Sequence, residues 1–246
     1  METVKIQCSD CRLRKLCLPQ GLVADEIKML EEIVKQPRPM QRAQRLYLPG
    51  DTFHYLFIVR SGSLKTYTTM SSGQQQIIGF HLPGELVGLD GVSDGSYCCT
   101  AESMEMTSVC ELPFTKLENI MSKIGGLQHQ VHKLMSKELL TDQQLLLQMG
   151  KMNAEQRVAA FLLNISNRFQ KRGFSATEFH LPMTRSDIGN YLGLAVETVS
   201  RQFSHFQELG TIKVSRKHVI INNPQFLKSI TNIEGKYEEE KEASLY

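Results

Sequence analysis

Between Leu127 and Asn153 the chain reads LQHQVHKLMSKELLTDQQLLLQMGKMN, an unbroken run without proline and rich in strong helix formers. That pattern predicts one long helix, with a β-patterned segment before it and an α-patterned segment after it. One stripe, at alternating four- and three-residue steps, holds Met135, Leu139, Asp142, Leu146 and Met149. Such spacing forms a seam that packs on a partner helix. Asp142 interrupts it, since a carboxylate stands where an apolar side chain belongs. From the pattern alone, Asp142 can simply be a hydrated position at the rim.

Upstream, LVADEIKMLEEIVKQ has the spacing of a short amphipathic helix, stopped before Pro37 and Pro39. From about Gln44 to Pro113 come the short runs LYL, YLFIV, LKTYT, QIIGFHL, LVGL and TSVCEL. They are punctuated by PGD, SGS, SSG, LPGE and SDGS. Strands of that length with frequent turn signals predict an antiparallel sandwich or roll.

The first segment, QCSDCRLRKLC, places Cys8, Cys11 and Cys17 within ten residues. The N-terminus lacks the layout of a secretory signal, and no run is long and apolar enough to cross a membrane. A cytoplasmic location follows as the expectation, and thiols stay reduced there, so the cysteines favour a metal or cluster over disulfides. Four thiolates can hold a cubane iron–sulfur cluster or a tetrahedral zinc. Three close cysteines with one remote are less typical of structural zinc, but both readings stay open on spacing alone.

Downstream of the long helix, charge turns positive. From Lys151 to Thr231 there are eleven Lys or Arg against five Asp or Glu, a balance that suits a polyanionic partner. Thr184 is placed to cap a helix running through Tyr191, Gly193 falls in a turn, and a second helix runs from about Ala195 to Leu209. That is a helix-turn-helix layout. Ile188, Leu192, Val196, Val199, Phe203 and Phe206 supply a buried face. Glu197, Ser200 and Arg201 share the opposite face. Arg can grip guanine O6 and N7, Glu can accept from cytosine N4, and Ser is tolerant. GTIKVSRKHVIINN then reads as a hairpin with a basic turn, a wing suited to phosphates.

MTRSDIGNYLGLAVETVSR, preceded by NAEQRVAAFLLNISNRFQKRGFS, resembles the DNA-binding half of the Crp–Fnr regulators. The resemblance extends through VRSGSLK and GFHLPGELVGLDG into the cysteines, over about residues 7–225, and is greatest to the oxygen-sensing Fnr branch. It implies an α+β chain with an N-terminal antiparallel β-roll of the cyclic-nucleotide-binding, jelly-roll kind, a long dimerisation helix and a C-terminal winged helix-turn-helix. The corresponding spans are 1–22 for the cysteine segment, 23–124 for the sensor roll, 125–150 for the helix and 151–232 for the DNA-binding domain. Residues 233–246 form an acidic tail expected to be disordered.

The resemblance further implies a 4Fe–4S cluster on Cys8, Cys11, Cys17 and, through the motif SVCELPF, Cys110. It implies a homodimer with Asp142 facing its own copy in the seam of Met135, Leu139, Leu146 and Met149. Each winged helix then reads half of a palindromic operator in double-stranded DNA. RNA polymerase is the implied further partner, with residues 71–76 a candidate contact; a zinc or small-molecule sensor is the alternative to the cluster. Cys98 and Cys99 rival Cys110, but adjacent strand residues point to opposite faces, so they read as small strand residues. Cyclic nucleotide is not expected, because no Lys or Arg lies between Lys65 and Lys116. Arg12, Arg14 and Lys15 make the cysteine loop basic, which bears on how oxygen attacks a cluster there. His129 and His132 read as solvated. Neither paired catalytic carboxylates nor a Gly-rich phosphate loop is present, so no enzyme is expected.

Overall fold

The computed structural model describes residues 7–231, so the acidic tail lies outside the described residues. The chain divides at Leu145/Leu146 into two compact units, with the long helix continuing from the first into the second.

The first unit begins with turns through the cysteine segment and a helix, α1 (Ala24–Ile33). α1 stops short of the prolines. Val34 is already extended, and Lys35 bridges to Glu111. Seven strands follow: β1 (Arg45–Tyr47), β2 (Tyr55–Ser61), β3 (Leu64–Thr69), β4 (Gln75–His81), β5 (Leu86–Val87), β6 (Thr100–Ser103) and β7 (Ser108–Pro113). They form two antiparallel sheets, in the orders β1-β6-β3-β4 and β5-β2-β7. β6, whose residues TAES carry little apolar signal, is a strand the sequence pattern misses. Its pairing with both β1 and β3 draws it into the larger sheet.

Two hydrophobic cores serve this roll. One gathers Tyr47, Phe57, Val59, Leu64, Tyr97, Cys99 and Val109. The other gathers Leu18 and Leu22 of the cysteine strip, Leu30 of α1, Leu112 of β7, Leu117 of α2 (Phe114–Met121), and Leu127 and Val131. The last two belong to α3 (Gly125–Lys151), the predicted long helix, whose first turns are thus rooted in the same core as the cysteine strip.

The second unit holds α4 (Ala154–Lys171), β8 (Glu178–His180), α5 (Arg185–Leu192), α6 (Val196–Glu208), β9 (Ile212–Ser215), β10 (His218–Ile221) and α7 (Pro224–Thr231). Asn153 caps α4 in a reciprocal pair with Gln156, at 2.9 and 3.0 Å. Thr184 caps α5 in the same way, its hydroxyl accepting from the Asp187 amide at 3.1 Å. Gly193 ends α5 at φ 64°, a left-handed position that sets the turn into α6. The wing is a three-stranded sheet, β8-β10-β9, rather than a bare hairpin, and Arg216 at its tip has φ 56°.

Candidate functional site

Cys8, Cys11, Cys17 and Cys110 line one cavity, together with Leu18, Leu30, Ile58, Leu112, Arg14 and Arg60. β7 brings Cys110 to the three N-terminal cysteines because it pairs with β2, placing Cys110 opposite Ile58. Leu18 and Leu22 are buried and anchor the strip from its far end. Ser9 pins its near end, donating from both amide and hydroxyl to Glu31 Oε1 at 2.9 and 3.1 Å.

Burial pushes the Cys17 thiol far above its ordinary range. The Leu18 amide pulls it back, and Cys8, Cys110 and Cys11 then add to the rise. Burial raises Cys110 as well, opposed by the Arg60 guanidinium. Among the described residues, no three His, Cys, Asp or Glu side chains converge as a single metal ion requires. Arg12, Arg14 and Lys15 are exposed around the strip. Arg60, from β2, is a cation at this cavity that sequence reasoning missed, because nothing local links it to the cysteines. It is steadied by Gln36, whose Oε1 accepts from Nη1 at 2.8 Å.

Cys98 and Cys99 do not line this cavity. They also depart from the strand expected of them, Cys98 lying in irregular backbone and Cys99 in a bend just before β6.

Along α3 the predicted seam is uncovered. Leu146 is 69% exposed and Leu139 62%, and Met135, Met149 and Asp142 are also exposed. Leu140 and Leu147 widen the apolar stripe. Desolvation raises the Asp142 carboxyl above its ordinary value. His129 and His132 are exposed.

On α6, Glu197, Ser200 and Arg201 are all exposed, while Val199, Phe203 and Phe206 are buried. Ser200 Oγ donates to the Val196 carbonyl at 2.9 Å, and Arg201 Nη2 donates to Thr198 Oγ1 at 3.3 Å. Val196, expected on the buried face, is 39% exposed. It is the first residue of the helix, where the following turn has not yet closed over that face. Arg185 at the start of α5 lies over the Phe203 ring, 3.4 Å from its centroid. Burial lowers its guanidinium to about 10. Lys213, Arg216 and Lys217 are exposed on the wing.

Arg157 of α4 is a junction the sequence did not disclose. Its Nη2 donates to the Met149 carbonyl at 2.7 Å, Nε to the Met152 carbonyl at 2.9 Å and Nη1 to the Leu192 carbonyl at 3.0 Å. One side chain thereby caps the end of the seam helix and the end of α5 together.

A sensory roll, a helix with a bare apolar stripe and a winged helix-turn-helix define a DNA-binding transcription regulator. The family profile for the Crp-like helix-turn-helix domain matches residues 156–230, and that for the cyclic nucleotide-binding domain matches residues 37–123. The chain is 47% identical to the transcriptional activator protein anr of Pseudomonas aeruginosa, over 89% of this chain and 93% of that one. It is 44% identical to the fumarate and nitrate reduction regulatory protein of Salmonella typhimurium, over 92% and 90%. The solved structure of FixK2 from Bradyrhizobium japonicum superposes with a TM-score of 0.74 at 30% identity, covering 80% of this chain and 97% of that one. The chain belongs to the Crp–Fnr family of regulators, on the branch of its Anr and Fnr relatives, and is not an enzyme. No helix among the described residues is long and apolar enough to cross a membrane.

Proposed function

We propose that this regulator activates transcription when oxygen is absent, using a 4Fe–4S cluster on Cys8, Cys11, Cys17 and Cys110 to govern pairing and DNA binding. The gathering of four cysteines, one from a hundred residues away, around a single cavity carries this reading. Relatives named as anaerobic regulators, including that of Haemophilus influenzae at 45% identity, support it. So does the chemistry of the donor set. Cys17, whose proton affinity the other three thiols raise, and Cys110, raised by burial, suit a cationic core that takes the thiolates. Held by Cys8, Cys11, Cys17 and Cys110, such a cluster would tie the strip to β7 and would supply an oxygen-sensitive iron–sulfur centre.

The rest falls to the chain's own residues. Leu18 and Leu22 share a core with Leu127 and Val131, so fixing the strip fixes the root of α3. Met135, Leu139, Leu146 and Met149 then bury their apolar surface against a second copy. Asp142 opposes this. Two carboxylates about 6 Å apart at an effective dielectric near 20 repel by roughly 2–3 kcal/mol. That is about two decades in the pairing constant. Pairing is conditional without being forbidden.

The dimer sets two α6 helices about 34 Å apart, one turn of DNA. Glu197, Ser200 and Arg201 read base edges in each half of a palindrome, while Arg216 and Lys217 hold phosphates. The segment 71–76, an exposed turn after β3 running into the first two residues of β4, is available to RNA polymerase. Cyclic nucleotide has no place in this scheme: residues 82–100 carry Glu85, Asp90 and Asp94 and no Lys or Arg. A reducing cytoplasm would keep the thiols competent.

The test is purification without oxygen, followed by iron, sulfide and zinc analysis, sedimentation and operator binding before and after air. The proposal expects about four irons and four sulfides per chain, and a DNA-binding dimer that air converts to a monomer. Zinc in place of iron, or DNA binding indifferent to air, overturns it.

A further inference from the structure

Cys98 and Cys99 lie outside the four-thiol cavity, and their surroundings are unusual for two adjacent residues. Strand alternation would send their sulfurs to opposite faces. Here Cys98 lies in irregular backbone and Cys99 in a bend before β6, and both sulfurs instead meet one residue, Asp90. Cys98 Sγ contacts the Asp90 carbonyl oxygen at 3.6 Å, and Cys99 Sγ donates to Asp90 Oδ2 at 3.3 Å. The same Oδ2 accepts the amides of Cys98 and Cys99 at 2.8 and 3.2 Å. The Tyr47 hydroxyl donates to Oδ1 at 3.2 Å. A side-chain carboxylate, rather than a strand ladder, therefore fixes the dipeptide's amides.

Exposure separates the two thiols. Cys98 is exposed, while Cys99 is 2% exposed and packs in the core of Tyr47, Tyr97 and Val109. Cys8, Cys17 and Cys110 pack against the other core. Oxidant therefore reaches Cys98 first, and Cys99 is its immediate neighbour in the chain.

The geometry points to Cys98–Cys99 as a second thiol switch, independent of the four-cysteine cavity, in which hydrogen peroxide converts an adjacent dithiol to a disulfide. Cys98 sulfur attacks one peroxide oxygen, the O–O bond breaks, and Cys98 sulfenic acid and one water form. Cys99 sulfur then displaces the hydroxyl from Cys98. The Cys99 proton passes to Asp90 Oδ2, its hydrogen-bond acceptor, and leaves with the hydroxide as a second water. Two thiols and one peroxide yield one disulfide and two waters. Burial, and then the charge of Asp90, push the Cys99 thiol up to about 12. Cys99 is therefore sluggish towards peroxide, and it attacks the Cys98 sulfenic acid only as its proton passes to Asp90 Oδ2.

The experiment uses the full-length chain, reduced and then exposed to hydrogen peroxide, alkylated under denaturing conditions and cleaved after glutamate. The fragment Leu86–Glu102 contains these two cysteines and no other. The disulfide predicts a fragment lighter by two hydrogens that takes no alkyl group until reductant is added. Cys99→Ser should stop at a dimedone-trappable sulfenic acid on Cys98, and Cys98→Ser should leave Cys99 unoxidised. The same results are expected in a Cys110→Ser background, so they stand or fall apart from the cluster. Two alkyl groups on the peroxide-treated fragment overturn the inference, as does over-oxidised Cys98 with Cys99 still a thiol. So does a bridge from either residue to Cys8, Cys11, Cys17 or Cys110.

Discussion

Leu22, in the strip that carries three of the cysteines, lies against Gly126 in the first turn of α3, its Cδ2 3.3 Å from where a Cβ would stand. The next point of approach is Gly21, whose own Cβ position falls 3.6 Å from Gln130 Nε2. Residues 21–22 are the physical link between the cysteine cavity and the helix that carries the seam. Leu22 is 5% exposed. Leu22→Ala is expected to destabilise the first unit by about 2–5 kcal/mol, read from urea unfolding. It should also weaken dimerisation of anaerobic protein although every cysteine is present. A change below about 0.5 kcal/mol would mean that the strip does not bear on α3.

Asp142 sets the threshold for pairing. Asp142→Ala should bring the monomer–dimer dissociation constant in air down by about two decades, measured by sedimentation equilibrium. The acid form carries no charge, and the carboxyl already titrates above its ordinary value. A second carboxylate across the seam would raise it further, so the dimer binds more protons than two monomers do. Pairing therefore strengthens as pH falls through the raised carboxylate range and weakens as pH rises. Asp142→Ala should abolish that dependence. A variant that stays monomeric in air contradicts the seam.

Arg157 joins Met149 of the seam helix to Leu192 at the end of α5. Replacing it with Met removes three bonds from a charged donor, each worth about 1.5–3 kcal/mol at most. The expected result is intact dimerisation with operator affinity lower by tenfold or more, a loss of at least about 1.4 kcal/mol. Unchanged DNA affinity would show that this junction does not orient the reading head.

The two classes of DNA contact should separate under salt. Arg201→Ala is expected to cost about 1–3 kcal/mol and to relax preference at one base pair. Lys217→Ala should weaken all sequences alike and reduce the slope of log affinity against log salt by about 1. Fluorescence-anisotropy titrations across a salt series decide it.

The parts of this molecule written in local patterns were legible without a structure. The 3.6-residue period exposed α3, the Thr184 cap and Gly193 bracketed α5, and GTIKVSRKHVIINN announced the wing. Cys8, Cys11 and Cys17 are near neighbours, so their spacing alone raised a metal or cluster. What escaped depends on contacts between distant residues. Cys110 had no local mark and came only through family resemblance. Arg60 and Arg157 look like ordinary surface cations until β2 and the ends of two helices surround them. β6 is a strand because its neighbours pair with it, not because TAES favours one. Cys98 and Cys99 defied strand alternation because the Asp90 carboxylate, eight and nine residues back, holds their amides outside any ladder.

The central claim is that a cluster spanning Cys110 and the three N-terminal cysteines licenses DNA binding. Cys110→Ser, prepared without oxygen alongside the parent chain, tests it through iron and sulfide content, visible colour and operator binding. The prediction is a folded, colourless monomer that does not bind the operator. A brown, dimeric Cys110→Ser chain still holding operator DNA would contradict it.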